Sequence, residues 1–288
     1  MKAASLRDRS TQLADIGDGV LVDPEWLHVH LSDPRVRVVE VDVSPAAYND
    51  WHIDGATLWN VYADLKDAEY RLVSAAALQR LVTSSGVDPD STVVFYGYAP
   101  ALGLWLMKLY GHRDVRILNC SRDAWRAGGH PWSTAASELP SGRRRLGREN
   151  SRVRADLTAV REAIGQPGIT LVDVRSAAEY AGERFWPSGG MEPGGRAGHV
   201  PSAVHQPVDG IYREDGSFRP AAELRELFAP ALLADGGELI TYCTIGGRAA
   251  TAWFVLTYLL GRGRVRVYDG SWAEWGRTPG TPVEAPNS

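Results

Sequence analysis

Cysteine is nearly absent from this chain, at two among 288 residues. So low a count excludes a disulfide-stapled scaffold and fits a reducing compartment, where a thiol stays available for chemistry. No apolar stretch approaches the roughly 18 residues of a membrane span, and the charged segment 1–18 has no apolar core of signal-peptide length. These features point to a soluble, cytoplasmic protein. Neither sign of charge dominates: 31 Lys and Arg against 35 Asp and Glu leave a net charge of −4. That balance provides no bulk attraction to nucleic acid or to an anionic membrane. The basic run Arg143-Arg144-Arg145 is short, lies among Ser, Gly and Pro, and reads as solvated linker. The chain also lacks a Walker loop, a GxGxxG after a strand, and metal-ligand spacing among its His and Cys residues. No cofactor and no metal are expected.

What the sequence does contain is one unit written twice. The first half reads Val38-Val39-Glu40-Val41-Asp42, Tyr48, His52-Ile53-Asp54-Gly55-Ala56, Val93-Val94-Phe95-Tyr96, Leu109-Tyr110-Gly111, Val115-Arg116-Ile117-Leu118 and Trp125. The second reads Leu171-Val172-Asp173-Val174-Arg175, Tyr180, His199-Val200-Pro201-Ser202-Ala203, Leu239-Ile240-Thr241-Tyr242, Leu259-Leu260-Gly261, Val265-Arg266-Val267-Tyr268 and Trp275. Preserved order, type and spacing mark a duplication. Apolar strands interleaved with helical patterns predict, in each copy, a parallel sheet with helices on both faces, an α/β architecture. The expected domains are 20–132 and 152–283, joined by a linker over 133–151. The second copy carries an insertion, 182–198, rich in glycine and long enough to be a lid.

Cys243 begins the loop Cys243-Thr244-Ile245-Gly246-Gly247-Arg248, directly after a strand pattern and before a helical one. Gly246 and Gly247 allow a tight turn that aims backbone N–H groups at one centre, and the following helix adds its own unpaired donors. A sulfur held there is stabilised as an anion, and Arg248 can hold an anionic substrate. Cys243 is therefore expected to be a nucleophile that carries sulfur as a persulfide. In the first copy Gly97 stands in its place, so that copy is expected to be catalytically silent. Cys120 has neither glycine loop nor adjacent arginine and reads as a packed thiol. His52 and His199, at matching positions of both copies, read as scaffold. Asp173 and Arg175, at a strand end, are expected to order the Cys243 loop by hydrogen bonds.

These motifs resemble the rhodanese family, in particular its two-domain thiosulfate sulfurtransferases. Residues 265–275 resemble the family's C-terminal signature, and Tyr48 with His52-Ile53-Asp54-Gly55-Ala56 its N-terminal one, with Asp54 where proline is usual. The resemblance covers residues 20–283 and implies two tandem rhodanese-like domains, the second catalytic through Cys243, with Arg248 contacting substrate. The chain departs from vertebrate-type thiosulfate enzymes at Thr244, where they carry a basic residue, and at Glu179, where they place a substrate arginine. Arg248, with Arg196 from the insertion, is then expected to supply the positive charge. The implied function is transfer of the sulfane sulfur of thiosulfate to cyanide, a thiol or an acceptor protein. Mercaptopyruvate sulfurtransferases are the competing enzymatic reading, although Ile245 occupies the position of their loop serine. A sulfur-carrier or protein-binding module with little turnover is the third. Phosphatases of the same fold place five residues between cysteine and arginine to hold a tetrahedral phosphate. The four residues between Cys243 and Arg248 make a tighter cradle, suited to sulfur.

Overall fold

The computed structural model describes residues 19–285. The segment 1–18, read above for signal-peptide character, lies outside the described residues. The first copy forms strands β1 (Leu21–Val22), β2 (Val36–Asp42), β3 (Thr57–Asn60), β4 (Thr92–Gly97) and β5 (Val115–Leu118). The second forms β6 (Arg154–Ala155), β7 (Ile169–Asp173), β8 (Val204–His205), β9 (Glu238–Tyr242) and β10 (Val265–Tyr268). All pair in parallel within their sheet, in the orders β1-β5-β4-β2-β3 and β6-β10-β9-β7-β8. Counted by rank along each copy, the two orders are identical. The duplication read from residue spacing is thus a duplication of topology.

The central strands β4 and β9 are almost wholly buried, which their continuous apolar runs require of a parallel sheet covered on both faces. Each is followed by a helix, α1 (Pro100–Leu109) after β4 and α2 (Gly247–Phe254) after β9. Helix α1 is apolar nearly all round, so it must be covered on every side. It lies against its own sheet and against α2 of the other copy. One apolar core accordingly runs through both domains, from Val39 and Phe95 to Trp253 and Val267. Helix α2 ends at Phe254. At Val255–Leu259 it widens into a π-helical turn.

The matching residues of the copies make matching contacts. His52 Nδ1 lies 2.9 Å from the Tyr48 carbonyl and His199 Nδ1 3.0 Å from that of Tyr180, each imidazole stacked on the tyrosine ring. Tyr96 Oη accepts from Ile53 N–H and Tyr242 Oη from Val200 N–H, both at 3.1 Å. The Trp125 and Trp275 indoles donate to the Pro131 and Pro282 carbonyls at 2.8 Å. Both histidines are scaffold.

The linker is largely exposed, as its composition implies, but it is not a free tether. Gly142 N–H donates to the Thr83 carbonyl, Arg144 N–H to that of Val87 and Gly147 N–H to that of Tyr110, strapping it along the first domain. Arg143 pairs with Asp88 at 2.9 Å and Arg144 donates to the Tyr110 carbonyl at 2.8 Å. Polar backbone satisfied by a neighbouring surface orders a segment that has few apolar side chains of its own. Among the described residues no helix is long and apolar enough to cross a membrane.

Candidate active site

Strand β9 ends at Tyr242, and Cys243 is the first residue beyond it, at the carboxyl edge of the sheet where parallel α/β folds place their ligands. The loop turns at Gly246, whose φ of +95° favours glycine. A Cβ there would lie 2.8 Å from the Asp269 carbonyl oxygen. The turn sends the Gly246 N–H onto Cys243 Sγ at 3.1 Å and starts helix α2 immediately behind it. An amide and a helix N-terminus thus face the sulfur together, an arrangement that favours negative charge on it. Gly246→Ala is expected to cost about 1–3 kcal/mol through strain and the carbonyl clash. A urea midpoint equal to that of the parent would contradict this geometry.

The C-terminal signature clamps the loop from below. Ser271 Oγ accepts the Cys243 N–H at 3.1 Å and donates to the Tyr268 carbonyl at 2.8 Å, while Trp272 and Ala273 N–H donate to the Cys243 and Thr244 carbonyls, both at 2.9 Å. Asp269 Oδ1 holds Arg154 Nε at 2.7 Å, and its Oδ2 accepts the Leu72 N–H at 3.0 Å. From the first domain, Lys66 reaches in with its side chain 1% exposed. Its Nζ donates to the Asp269 carbonyl at 2.6 Å and lies 3.9 Å from Asp269 Oδ2. Burial pushes the Lys66 ammonium below its ordinary range, against the pull of Asp269 and of Cys243. Sequence reasoning missed Lys66. It precedes no motif, and only docking of the two domains brings it beneath the loop.

Arg248 lines the cavity beside Cys243 and has protein partners that its place in the sequence does not reveal. Its guanidinium grips Glu179 at both oxygens, at 2.9 and 2.7 Å, and donates to Thr244 Oγ1 at 2.8 Å. Thr244 Oγ1 in turn donates to Glu179 Oε1 at 2.7 Å. Glu179 also closes a capping box with Ser176 at the start of the helix Ala177–Tyr180. The pattern Ser-x-x-Glu at 176–179 was the available signal for this second job. Burial alone pushes the Glu179 carboxyl up, but Arg248 with Thr244 and Ser176 outweighs it and holds the group down at about 2.

Asp173 and Arg175 form a buried ion pair of 2.7 Å. In place of bonding to the Cys243 loop, Arg175 donates to the Gly198 carbonyl at 2.8 Å and lies over the Trp272 ring at 4.6 Å. The pair anchors the insertion and the tryptophan whose N–H holds the Cys243 carbonyl. Arg196 does not join the site, a correction to its reading as substrate-binding. Its guanidinium is enclosed by the carbonyls of Trp275, Thr278, Gly276 and Thr281, because a buried helix end needs donors for its last carbonyls. The insertion nonetheless reaches the site through Trp186, Pro187 and Ser188. With Val43, Val61, Tyr62, Tyr98 and Ala99 of the first domain and the loop residues Cys243, Thr244, Ile245, Gly247 and Arg248, they enclose a cavity of about 190 Å³.

In the first copy Gly97 takes the place of Cys243, at the end of β4. A Cβ on Gly97 would lie 2.9 Å from Glu40 Cγ and 3.0 Å from the Val41 carbonyl, so no thiol fits there. Cys120 is pushed up to about 12, chiefly by burial and also by Asp215 and Glu25, which keeps its thiol protonated at neutral pH.

Comparison with known proteins agrees with this architecture. The model of the rhodanese-like domain matches twice, over residues 23–128 and 156–278. The "Sulfur carrier protein TtuD" of Thermus thermophilus is 38% identical over 277 residues, 92% of this chain and 96% of that protein. A Haloferax volcanii protein named "Putative thiosulfate sulfurtransferase" is 37% identical over 284 residues, 95% and 99% of the two chains. Among solved structures, the anaerobic ergothioneine biosynthesis enzyme from Chlorobium limicola, in complex with its natural substrate trimethyl histidine, superposes with a TM-score of 0.79 at 25% identity. The match covers 93% of this chain and 70% of that one. A chain with this doubled sheet, this cysteine loop and these relatives belongs to the rhodanese family, with two rhodanese-like domains in tandem.

Proposed function

We propose that this protein moves the sulfane sulfur of thiosulfate, through a persulfide on Cys243, to a thiophilic acceptor: cyanide in an assay, a thiol or a protein in the cell. The observation that carries the reading is the Gly246 N–H on Cys243 Sγ at 3.1 Å, on the wall of a cavity between the domains. The Cys243 thiolate attacks the outer sulfur of thiosulfate. A new S–S bond forms as the old one breaks, and sulfite leaves with the electron pair. The acceptor then attacks the outer sulfur of the persulfide and returns Cys243 to the thiolate. The Gly246 amide and the α2 N-terminus steady the anionic sulfur in both states, and Arg248, oriented by Glu179, presents its exposed edge to the leaving group. Both cysteines are free, which supports a reducing, cytoplasmic setting.

The relatives support the same chemistry. One is named a sulfur carrier, and a structure of the ergothioneine enzyme EanB holds ergothioneine covalently linked with a cysteine persulfide. Incubation with thiosulfate followed by intact-mass measurement is expected to show one added sulfur, located on Cys243 and discharged by cyanide as thiocyanate. A mass that does not change would reject the reading. A sulfur added stoichiometrically but not turned over by cyanide would replace the enzyme with a carrier.

A further inference from the structure

The bonds that Lys66 makes do not account for its charge. It follows the helical turn Val61–Leu65 of the first domain, and a backbone bridge to Leu72 fixes the segment that carries it. Its side chain is buried, its Nζ donates to the Asp269 carbonyl at 2.6 Å, and the Asp269 carboxylate is 3.9 Å away. That carboxylate already holds Arg154 Nε at 2.7 Å and the Leu72 N–H at 3.0 Å. A neutral donor would serve one carbonyl equally well and avoid the cost of burying an ion.

The ammonium lies directly behind the reactive loop. A Cβ on Gly246 would be 3.4 Å from Lys66 Nζ, and it is the Gly246 N–H that meets Cys243 Sγ at 3.1 Å. Burial pushes Lys66 down, while Asp269, the Cys243 sulfur and Glu274 pull it back up and Arg154 opposes them. Of these anions, Asp269 is shared with Arg154, and burial pushes the Glu274 carboxyl up toward its neutral form. Arg154 has Glu149 as a second partner, and Arg71 on the neighbouring turn is engaged by Asp67 and Glu69. Among the described residues that act on Lys66, the sulfur is the anion left to answer it. Such an attraction is reciprocal, so an anion that keeps the ammonium charged is kept charged by it in equal measure. Arg248 lines the cavity where the leaving group departs, whereas Lys66 stands behind the loop.

We propose that Lys66, contributed by the domain without a nucleophile, is a positioning residue for sulfur transfer whose buried ammonium holds the negative charge on Cys243 through both half-reactions. The inference rests on the persulfide reading above. Thiolate and thiosulfate together carry three negative charges, as do persulfide and sulfite, and one of them stands on Cys243 before and after the outer sulfur moves. One fixed cation therefore serves both states, with no proton taken up or released. Docking of the first domain completes the site of the second.

The test follows sulfite release in a single turnover with thiosulfate, without acceptor, from about pH 5 to about pH 10. Parent is compared with Lys66→Gln, whose amide can still donate to the Asp269 carbonyl. At neutral pH the variant is expected to be slower by about tenfold or more, its rise in rate displaced upward by about one pH unit through loss of the opposite charge. The gap is expected to close at alkaline pH, where Lys66, pushed down by burial, gives up its own proton in the parent. A merely structural lysine would instead lower the rate by one factor at every pH. Lys66→Met, which fills the same space without a donor, is measured beside it, with a thermal melt of each. A Lys66→Gln profile that rises where the parent's does would overturn the inference. So would a parent whose rate rises only in the ordinary cysteine range, about 8.5, a result that needs no variant. If thiosulfate still adds sulfur to Cys243 in either case, the persulfide reading stands without Lys66. If the parent releases no sulfite, that reading fails and the inference with it.

Discussion

Replacement of Cys243 by serine is expected to lower thiocyanate formation by at least about 1,000-fold while leaving the melting curve nearly unchanged. The two halves of this expectation have separate causes. Serine keeps the size of the side chain and can still accept the Gly246 N–H, and the bonds that fix residue 243 run through its backbone, to Ser271 Oγ and from the Trp272 N–H. The fold therefore loses little. The reaction loses its nucleophile, since an alkoxide is not available at neutral pH and forms no persulfide. Cys120 cannot substitute, because burial holds its thiol protonated. Rate and melt measured on the same sample check both halves, and turnover retained by Cys243→Ser would place the chemistry elsewhere.

Arg248→Ala is expected to have the largest effect on stability among single changes at the site. It removes the guanidinium from a carboxylate that is fully buried, and breaking such a pair from one side costs about 3 kcal/mol, near the low end because the Arg248 side chain keeps 26% exposure. Only Thr244 and Ser176 then remain to offset burial of the charge. In the parent, Glu179 is held at about 2 against an ordinary 4.5. Its contribution to stability is therefore complete above pH 4.5 and fades as pH falls toward 2. Without Arg248 the carboxyl shifts upward, so acid weakening begins at a higher pH. Urea unfolding at pH 7 and pH 5 reads both effects. A further Glu179→Gln change in the Arg248→Ala background is expected to restore part of the loss, because a neutral amide is cheaper to bury. Equal midpoints for Arg248→Ala and parent would show that the pair is ornamental.

The relation between Arg248 and Glu179 also marks the limit of reading along the chain. Sixty-nine residues separate them, and no local pattern tells a guanidinium facing a ligand from one facing a carboxylate. The same blindness produced the error at Arg196, whose sequence position beside the site says nothing of the carbonyls that enclose its guanidinium. It also hid Lys66, which belongs to the other domain. The strapping of the linker is hidden for a related reason: poverty in apolar side chains does not report backbone hydrogen bonds to a neighbouring surface.

Strand alternation, glycine placement and the internal repeat are local properties, governed by φ, ψ and side-chain period. They are enough to determine the two parallel sheets and to place Cys243 and Gly97 at matching strand ends. Charge neutralisation, the cavity and its aromatic walls belong to no single segment. They arise where the two domains and the insertion close on one another, and long-range packing alone sets which side chains meet there.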